Sequence, residues 1–503
     1  MRLRFTKNKI GRIAAALCAL AVTGSLTLQS VQAEGDLPYD TYNYDYWENI
    51  VYTPAAYVPN GSISGLDVGT TAFSSPQDLC LDGDGNIYVA DTKNNRIVVL
   101  DPGMTKTIRI IDTFVRDGEE DTFDAPYGVC VSENGLLYVA DSNNKRILIM
   151  TPEGEYLRMI ETPVSEILED DFDFVPLKVA VDYADRVYCI VKNAFEGILV
   201  FEADGSFTGY FGTIEVKISA WEKFWKRIAT KEERSKQQLY IPTEFTGIDI
   251  DTEGFVYASN IDTDGEQGVR RLNPSGDDVI QKGENSNLGG DLTTGTYGDY
   301  SGYSEFTDVV YRGKGIYSCL DRKRGRIFTY DKEGNLLYIF GGIGTQAGTF
   351  RTPVAIESTD TEILVLDAYR NSIMRFTATE YGTLINDAVG LRYDGDETLA
   401  IEKWEKVLLL DENNELANTG VGKAYLTAGD NETAMYYLKL AMNRKYYSIA
   451  YRRYRNAILT ENMNVIMTVL IAVIVALIVY FNVFHKKVKA ARAARKARKE
   501  ALR

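Results

Sequence analysis

The chain has 503 residues, with 71 acidic and 55 basic side chains, one histidine and a formal net charge of −16. This length allows more than one domain, and the acidic balance argues against nucleic-acid binding. The only histidine is His485, so nothing before it can supply Ser–His or Cys–His catalysis or an imidazole-built zinc site.

The first segment has Arg2, Arg4, Lys7, Lys9 and Arg12, then the apolar run IAAALCALAVTGSLTL, then Val31 and Ala33 before Glu34. A basic start, a short apolar run and small residues at its end predict a cleavable secretory signal over 1–33. Cys18 lies mid-run behind Leu17, which argues against a lipid anchor. Residues 34–55 are rich in tyrosine (Tyr39, Tyr42, Tyr44, Tyr46, Tyr52) and include Trp47. Such rings suit stacking on sugars or gripping a peptide; packing on the edge of the next domain is the expectation.

Residues 73–101 and 123–151 are near-copies, and Pro76, Pro126 and Pro176 are spaced 50 apart. Each unit has an apolar strand after the proline, an Asp/Gly turn, a second strand ending in Asp, and a third strand opened by Arg. Six units start near residues 78, 128, 178, 247, 308 and 355. A repeat of this length built from short strands predicts an all-β six-bladed β-propeller over 56–380. Two insertions delay the later units. Residues 216–239 have helical spacing at Trp221, Phe224, Trp225 and Ile228, and 281–303 read as a loop. The last unit has only three strands. Residues 61–76 resemble 336–353, so the strand near 56–66 is expected to close the ring against the last blade.

The unit motif, an apolar strand after Pro, then G-x-[IL]-Y-V-A-D, then N-x-R-I, resembles the NHL repeat family. The likeness is strong in DTKNNRI and DSNNKRI, good in DRKRGRI and DAYRNSI, and eroded in the third and fourth units. Recurrence of Asp91…Arg96, Asp141…Arg146 and Asp321…Arg326 at one blade position predicts pairs that brace a turn, not catalytic groups. Cys80, Cys130, Cys189 and Cys319 lie among apolar strand residues and are expected to be free buried thiols.

From 384 the alternation gives way to helical spacing. Residues 397–415 and 422–442 resemble tetratricopeptide repeats, with Gly422, Ala424, Tyr425, Gly429, Ala434, Leu438 and Ala441 at that family's packing positions. Ala400, Trp404, Val407 and Asp411 match the end of a preceding repeat. The helical segment is placed at 381–462. Two repeats make a short array whose end needs a cover. Val465–Phe484 carries no charge and is long enough to cross a bilayer, which predicts a membrane span over 463–485. The tail 486–503 holds nine basic residues and one acidic, which predicts a cytoplasmic side. The expected topology is a single pass at the cell membrane with the N-terminal part extracellular. Removing the five basic residues of 1–33 and the nine of the tail leaves 41 basic against 70 acidic residues, near −29.

No catalytic set emerges. The absence of a usable histidine sets the chain apart from the amidating-lyase and streptogramin-lyase propellers, both of which resemble this fold. Gluconolactonase-like propellers hold a metal with carboxylate and carboxamide side chains, and here only Gln77, Asp78 and Asp308 could offer oxygen near the strand-opening prolines. DGDGN (82–86), DIDTEG (249–254) and DTDGE (262–266) hint at calcium but are also ordinary turn formers. No cofactor is expected. Gln77, Asp78, Tyr127, Lys178, Glu244 and Asp308 fall where the innermost strands begin, at the mouth of a central channel. Being mixed and unrepeated, they are expected to bind a ligand by hydrogen bonds, and Asp78→Ala and Asp308→Ala to leave the fold intact. The expected function is a membrane-anchored extracellular binding or scaffold protein. Its propeller recognises a glycan, peptide or partner protein, and its helices dock a membrane protein. The alternative is a metal-dependent gluconolactonase-like hydrolase.

Overall fold

A computed structural model of the protein describes residues 37–168, 172–213, 244–261, 267–282, 288–292 and 302–502. The expected signal, the helical insertion 216–239 and the DTDGE turn lie outside the described residues. So does part of the 281–303 loop.

Blade 1 comprises strands Asp78–Leu81, Ile87–Asp91, Arg96–Leu100 and Thr107–Ile111, paired antiparallel in chain order. Blade 2 (Pro126–Val131 to Tyr156–Ile160) and blade 3 (Pro176–Val181 to Phe207–Phe211) repeat the pattern. Blade 4 shows three strands among the described residues, Phe245–Ile250, Val256–Asn260 and Val269–Leu272. Blade 5 runs from Phe306–Tyr311 to Leu336–Phe340, and blade 6 begins at Pro353–Ser358 and continues through Glu362–Asp367 and Ser372–Ala378. The fourth strand of blade 6 is Tyr57–Ser64, antiparallel to Ser372–Ala378 in a register from Ser372↔Ser64 to Ala378↔Tyr57. The protein is therefore a six-bladed propeller whose ring is closed by Tyr57–Ser64, a strand that precedes blade 1 in the chain.

Blades stack face to face, so the second strand of a blade is covered on both sides. Ile87–Asp91, Leu137–Asp141 and Tyr317–Asp321 are buried at every position. One apolar cluster joins blades 1 and 2 through Ala90, Ile97 and Val99 against Val129, Leu137 and Val139. Another joins blades 6 and 1 through Leu364, Leu366 and Ile373 against Ile87, Val89 and Val98. Hydroxyls stitch neighbouring blades: Thr92 Oγ1 donates to Pro126 O at 2.8 Å, Ser142 Oγ to Pro176 O at 2.5 Å, and Thr246 Oγ1 to Phe306 O at 2.7 Å. The tyrosine-rich segment contributes Tyr42, which is buried, pairs with Ile339 of blade 5 and donates its hydroxyl to Asp291 at 2.9 Å. Trp47 and Tyr52 of the same segment are exposed.

The repeated Asp at the end of the second strand is a brace. Asp91 accepts the backbone N–H of Ser74 at 2.6 Å, the Asn94 amide at 2.8 Å and Arg96 Nε at 2.7 Å, and Asp141 repeats this with Asp124, Asn144 and Arg146. Blade 5 departs from the expectation. Arg326 donates to the carbonyls of Asp40 and Gly341, and the arginine beside Asp321 is Arg324, at 3.8 Å. Replacing Asp91 by Ala should lower stability by roughly 1–3 kcal/mol, because the Ser74 N–H and the buried Arg96 lose their partner. Thermal melting beside the wild type checks this, and an unchanged midpoint would refute the bracing role.

The acidic hairpin turns bond their own backbone, and the Asp251 turn also receives Arg271 at 3.0 Å. Asp82 accepts the backbone N–H groups of Asp84 and Asn86 at 2.9 and 2.8 Å, and Asp251 those of Glu253 and Phe255 at 3.0 and 2.8 Å. Among the described residues no group of three or more His, Cys, Asp or Glu is placed to hold a metal ion.

The second unit is helical: Glu380–Tyr393, Glu397–Leu410, Glu415–Ala428, Asn431–Leu440 and Arg444–Glu461, followed by the long apolar helix that begins at Met463. Asp396, Asn414, Asp430 and Asn443 cap the helices that follow them, each accepting the backbone N–H three residues on. Close packing depends on two glycines. A Cβ at Gly420 would stand 2.7 Å from the Trp404 ring, and one at Gly422 2.7 Å from Leu438. The apolar helix Met463–Val479 continues through a π-helical stretch, Tyr480–His485, into the basic helix Lys486–Glu500.

Candidate functional site

The six innermost strands meet at the propeller axis. Pairing with the second strands aligns Asp78, Gly128, Lys178, Gly247, Asp308 and Ala355 as one ring of equivalent positions. Charged residues stand on blades 1, 3 and 5, and residues with little or no side chain on blades 2, 4 and 6. The small residues are required by space. A Cβ at Gly128 would lie 2.4 Å from Leu177 O, and one at Gly247 2.4 Å from Asp308 Oδ1 and 2.5 Å from its Cα.

Lys178 fills the centre. Its Nζ donates to Asp78 Oδ1 and, at 3.2 Å, to Asp308 Oδ2. All three side chains are buried, with residue exposures of 5 % each. Each carboxylate also accepts a backbone N–H from the innermost strand of the next blade, Asp78 from Val129 at 3.0 Å and Asp308 from Ile356 at 2.9 Å. Those inner edges have no further strand to pair with, so the carboxylates complete their hydrogen bonding. The ion cluster thus ties blades 1, 3 and 5 to one another and to blades 2 and 6.

Two residues further along the strands, on the same face, a second ring holds Cys80, Cys130, Ala180, Asp249, Val310 and Glu357. Asp249 accepts the N–H of Tyr311 at 2.6 Å and of Ile250 at 2.8 Å, and Glu357 accepts the N–H of Ser358 at 2.8 Å. The four cysteines of the described chain are free, and burial pushes the Cys130 thiol up to about 12.

Burial dominates the protonation of this cluster. It pushes the Asp308 carboxyl up to about 6, with the Asp78 charge adding and Lys178 opposing. Asp78 is also raised, because burial outweighs the attraction of Lys178. Burial alone would lower Lys178, but the charges of Asp308 and Asp78 outweigh it and hold the ammonium charged. Burial pushes Asp249 up to about 7 against its two backbone hydrogen bonds. Glu357 rises well above the carboxylate range, first by burial and then by the Asp249 charge. Raised carboxyl groups keep protons in the folded state that the unfolded chain releases near pH 4. Their stabilisation is therefore complete below that pH and is lost as pH rises through about 6 to 7. Asp249→Asn should accordingly lose less stability than the wild type between pH 5 and pH 8. Urea melts of both proteins at the two pH values test this, and parallel losses would contradict it.

Three of the six residues expected at the channel mouth, Asp78, Lys178 and Asp308, thus converge inside the channel as a closed ion cluster. Removing Asp78 leaves the Val129 N–H unpaired and Lys178 with one carboxylate, so the expectation of an intact fold for Asp78→Ala is replaced by one of destabilisation. The other three are half-buried. Gln77 donates its amide to the Ser75 carbonyl and hydroxyl. Tyr127 lies close enough to the cluster for the charges of Lys178 and Asp78 to act on its phenol, which burial raises. Glu244 directly precedes the first strand of blade 4. Glu357 escaped sequence reasoning, which places Asp249 only in the DIDTEG turn, whereas it lies in the strand Phe245–Ile250; two-residue alternation from Gly247 and Ala355 marks both as axial.

The NHL repeat family matches residues 73–100 and 123–150. No curated protein matches the sequence. Among solved structures the chain is similar to virginiamycin B lyase from Staphylococcus aureus, at 11 % identity over 64 % of this chain and 100 % of that one, with a TM-score of 0.39. A streptogramin B lyase aligns at 12 % identity over 65 % and 100 %, with a TM-score of 0.41. A Bacteroides thetaiotaomicron protein of unknown function aligns at 12 % over 66 % and 78 %, also with a TM-score of 0.41. At such identities and scores these likenesses say nothing about activity. The chain is thus a six-bladed β-propeller in which blades 1 and 2 carry NHL repeats.

Proposed function

We propose that this protein is a non-enzymatic binding protein, held in the cell membrane by the helix that begins at Met463. Its extracellular propeller recognises a glycan, peptide or partner protein, and its tetratricopeptide-like helices dock a second membrane component. The observation that carries this reading is the buried Lys178 ammonium between Asp78 and Asp308. A divalent cation would have to displace an internal cation already paired with both carboxylates, which weighs against the metal-dependent lactonase alternative. The rims of the blades remain as recognition surface. The apolar run Val465–Phe484, about 30 Å long as a helix, and the nine basic residues after it support one span with a cytoplasmic tail.

The full chain in nanodiscs should bind members of a glycan or peptide array saturably and should hydrolyse no sugar lactone with calcium, zinc or manganese. Metal-dependent lactone turnover abolished by Asp308→Asn would overturn the reading. Protease added outside intact cells should remove the propeller and leave the span and tail protected.

A further inference from the structure

Helix Arg444–Glu461 ends two residues before the apolar helix begins at Met463. Its apolar packing is confined to its first half, and just beyond it Arg453 donates to Leu426 O at 3.1 Å. Ala450 is buried, and Tyr446, Tyr447 and Ile449 pack against Leu426, Ala434 and Leu438 of the preceding helices. Beyond that, Tyr451, Ile458 and Leu459 are 49 %, 40 % and 42 % exposed. At 100° per residue, Ser448, Arg452, Arg455 and Leu459 share the face opposite Ala450, with Tyr451 and Ile458 on its flank. The helix holds Arg444, Lys445, Arg452, Arg453 and Arg455 against Glu461 alone, a net charge of +4 within a part of the chain near −29.

Chain continuity says what meets this face. Arg455 lies eight residues before Met463, about 12 Å along a helix, and Arg452 one turn further. A helix joined to the span within two residues and lying along the bilayer surface keeps both arginines at the headgroup layer, where tyrosines settle and arginines reach anionic groups while their stems lie on apolar surface. We propose that helix Arg444–Glu461 is a lipid-binding collar. Arg452 and Arg455 engage anionic headgroups of the adjoining leaflet, and Tyr451, Ile458 and Leu459 sit at the acyl boundary. The basic face holds an acidic domain at a surface that would otherwise repel it. The proposal rests on the membrane-anchored reading above.

The test uses the full chain in vesicles of phosphatidylcholine, alone or with roughly one third phosphatidylglycerol. An environment-sensitive fluorophore is placed at Ser448→Cys, on the far face, or at Val475→Cys, within the apolar helix. Nitroxide-bearing lipids should quench the fluorophore at position 448 at least about twofold more when phosphatidylglycerol is present. Arg452→Gln with Arg455→Gln, or 0.5 M salt, should abolish that difference. Equal quenching in both vesicles, or no effect of the double variant, overturns the collar. No quenching at position 448 while position 475 is quenched also overturns it, a protein then covering the face. Failure of quenching at position 475 overturns the anchor itself, so the two readings fail separately.

Discussion

Lys178→Met is expected to destabilise the propeller by about 3–5 kcal/mol, the cost of leaving buried carboxylates without their counter-ion. Asp78 and Asp308 would face each other across the axis, while still needed by the N–H groups of Val129 and Ile356. They would answer by binding protons, so the defect should be largest at pH 8 and shrink toward pH 5, where the wild type already holds part of that proton load. The triple variant Lys178→Met, Asp78→Asn, Asp308→Asn keeps the hydrogen-bond acceptors and removes every charge. It should recover most of the loss, because a buried ion cluster contributes less by existing than it costs when broken. Urea denaturation at both pH values decides the matter. A Lys178→Met protein as stable as the wild type would mean that water reaches the axis and screens it.

Loss of the closing strand should be more damaging. A chain beginning at Ser75 lacks Tyr57–Ser64, and with it the ladder to Ser372–Ala378, the buried Tyr57 ring stacked on Phe340 at 5.0 Å, and the Thr379 hydroxyl bond to Ala55 O at 2.6 Å. Six paired positions at about 1 kcal/mol each, together with the buried side chains, approach the whole stability of an ordinary domain. That chain should fail to melt cooperatively. A chain beginning at Asn49 loses Tyr42 and its bond to Asp291 but keeps the ring closed, and should melt cooperatively at a modestly lower temperature. Equal melting of the two would show that blade 6 is complete without its N-terminal strand.

The architecture was legible because it repeats. Pro76, Pro126 and Pro176 mark the blade starts, and the likeness of 61–76 to 336–353 foretells the closing strand, since both segments run from an outer strand into the next blade. The axial cluster was illegible for the opposite reason. Asp78, Lys178 and Asp308 are 100 and 130 residues apart, and each matters through partners on other blades. At the axis complementarity replaces repetition: a charge on one blade needs a glycine beside it and an opposite charge across from it. Non-repetition was therefore misread as freedom from structural duty. The Asp321…Arg326 expectation failed on a smaller scale, because blade 5 carries an additional arginine, Arg324, two residues closer to the brace. The turns at Asp82 and Asp251 looked open to calcium only because their oxygens' backbone partners are invisible in a one-dimensional pattern.

The most direct test of a structurally closed axis is to soak crystals of the protein in calcium, zinc and manganese and compute anomalous difference maps. The account predicts Lys178 Nζ in place between Asp78 and Asp308 and no anomalous peak beside either carboxylate. A metal peak within about 2.5 Å of both, with the lysine displaced, would contradict it and return the axis to catalysis.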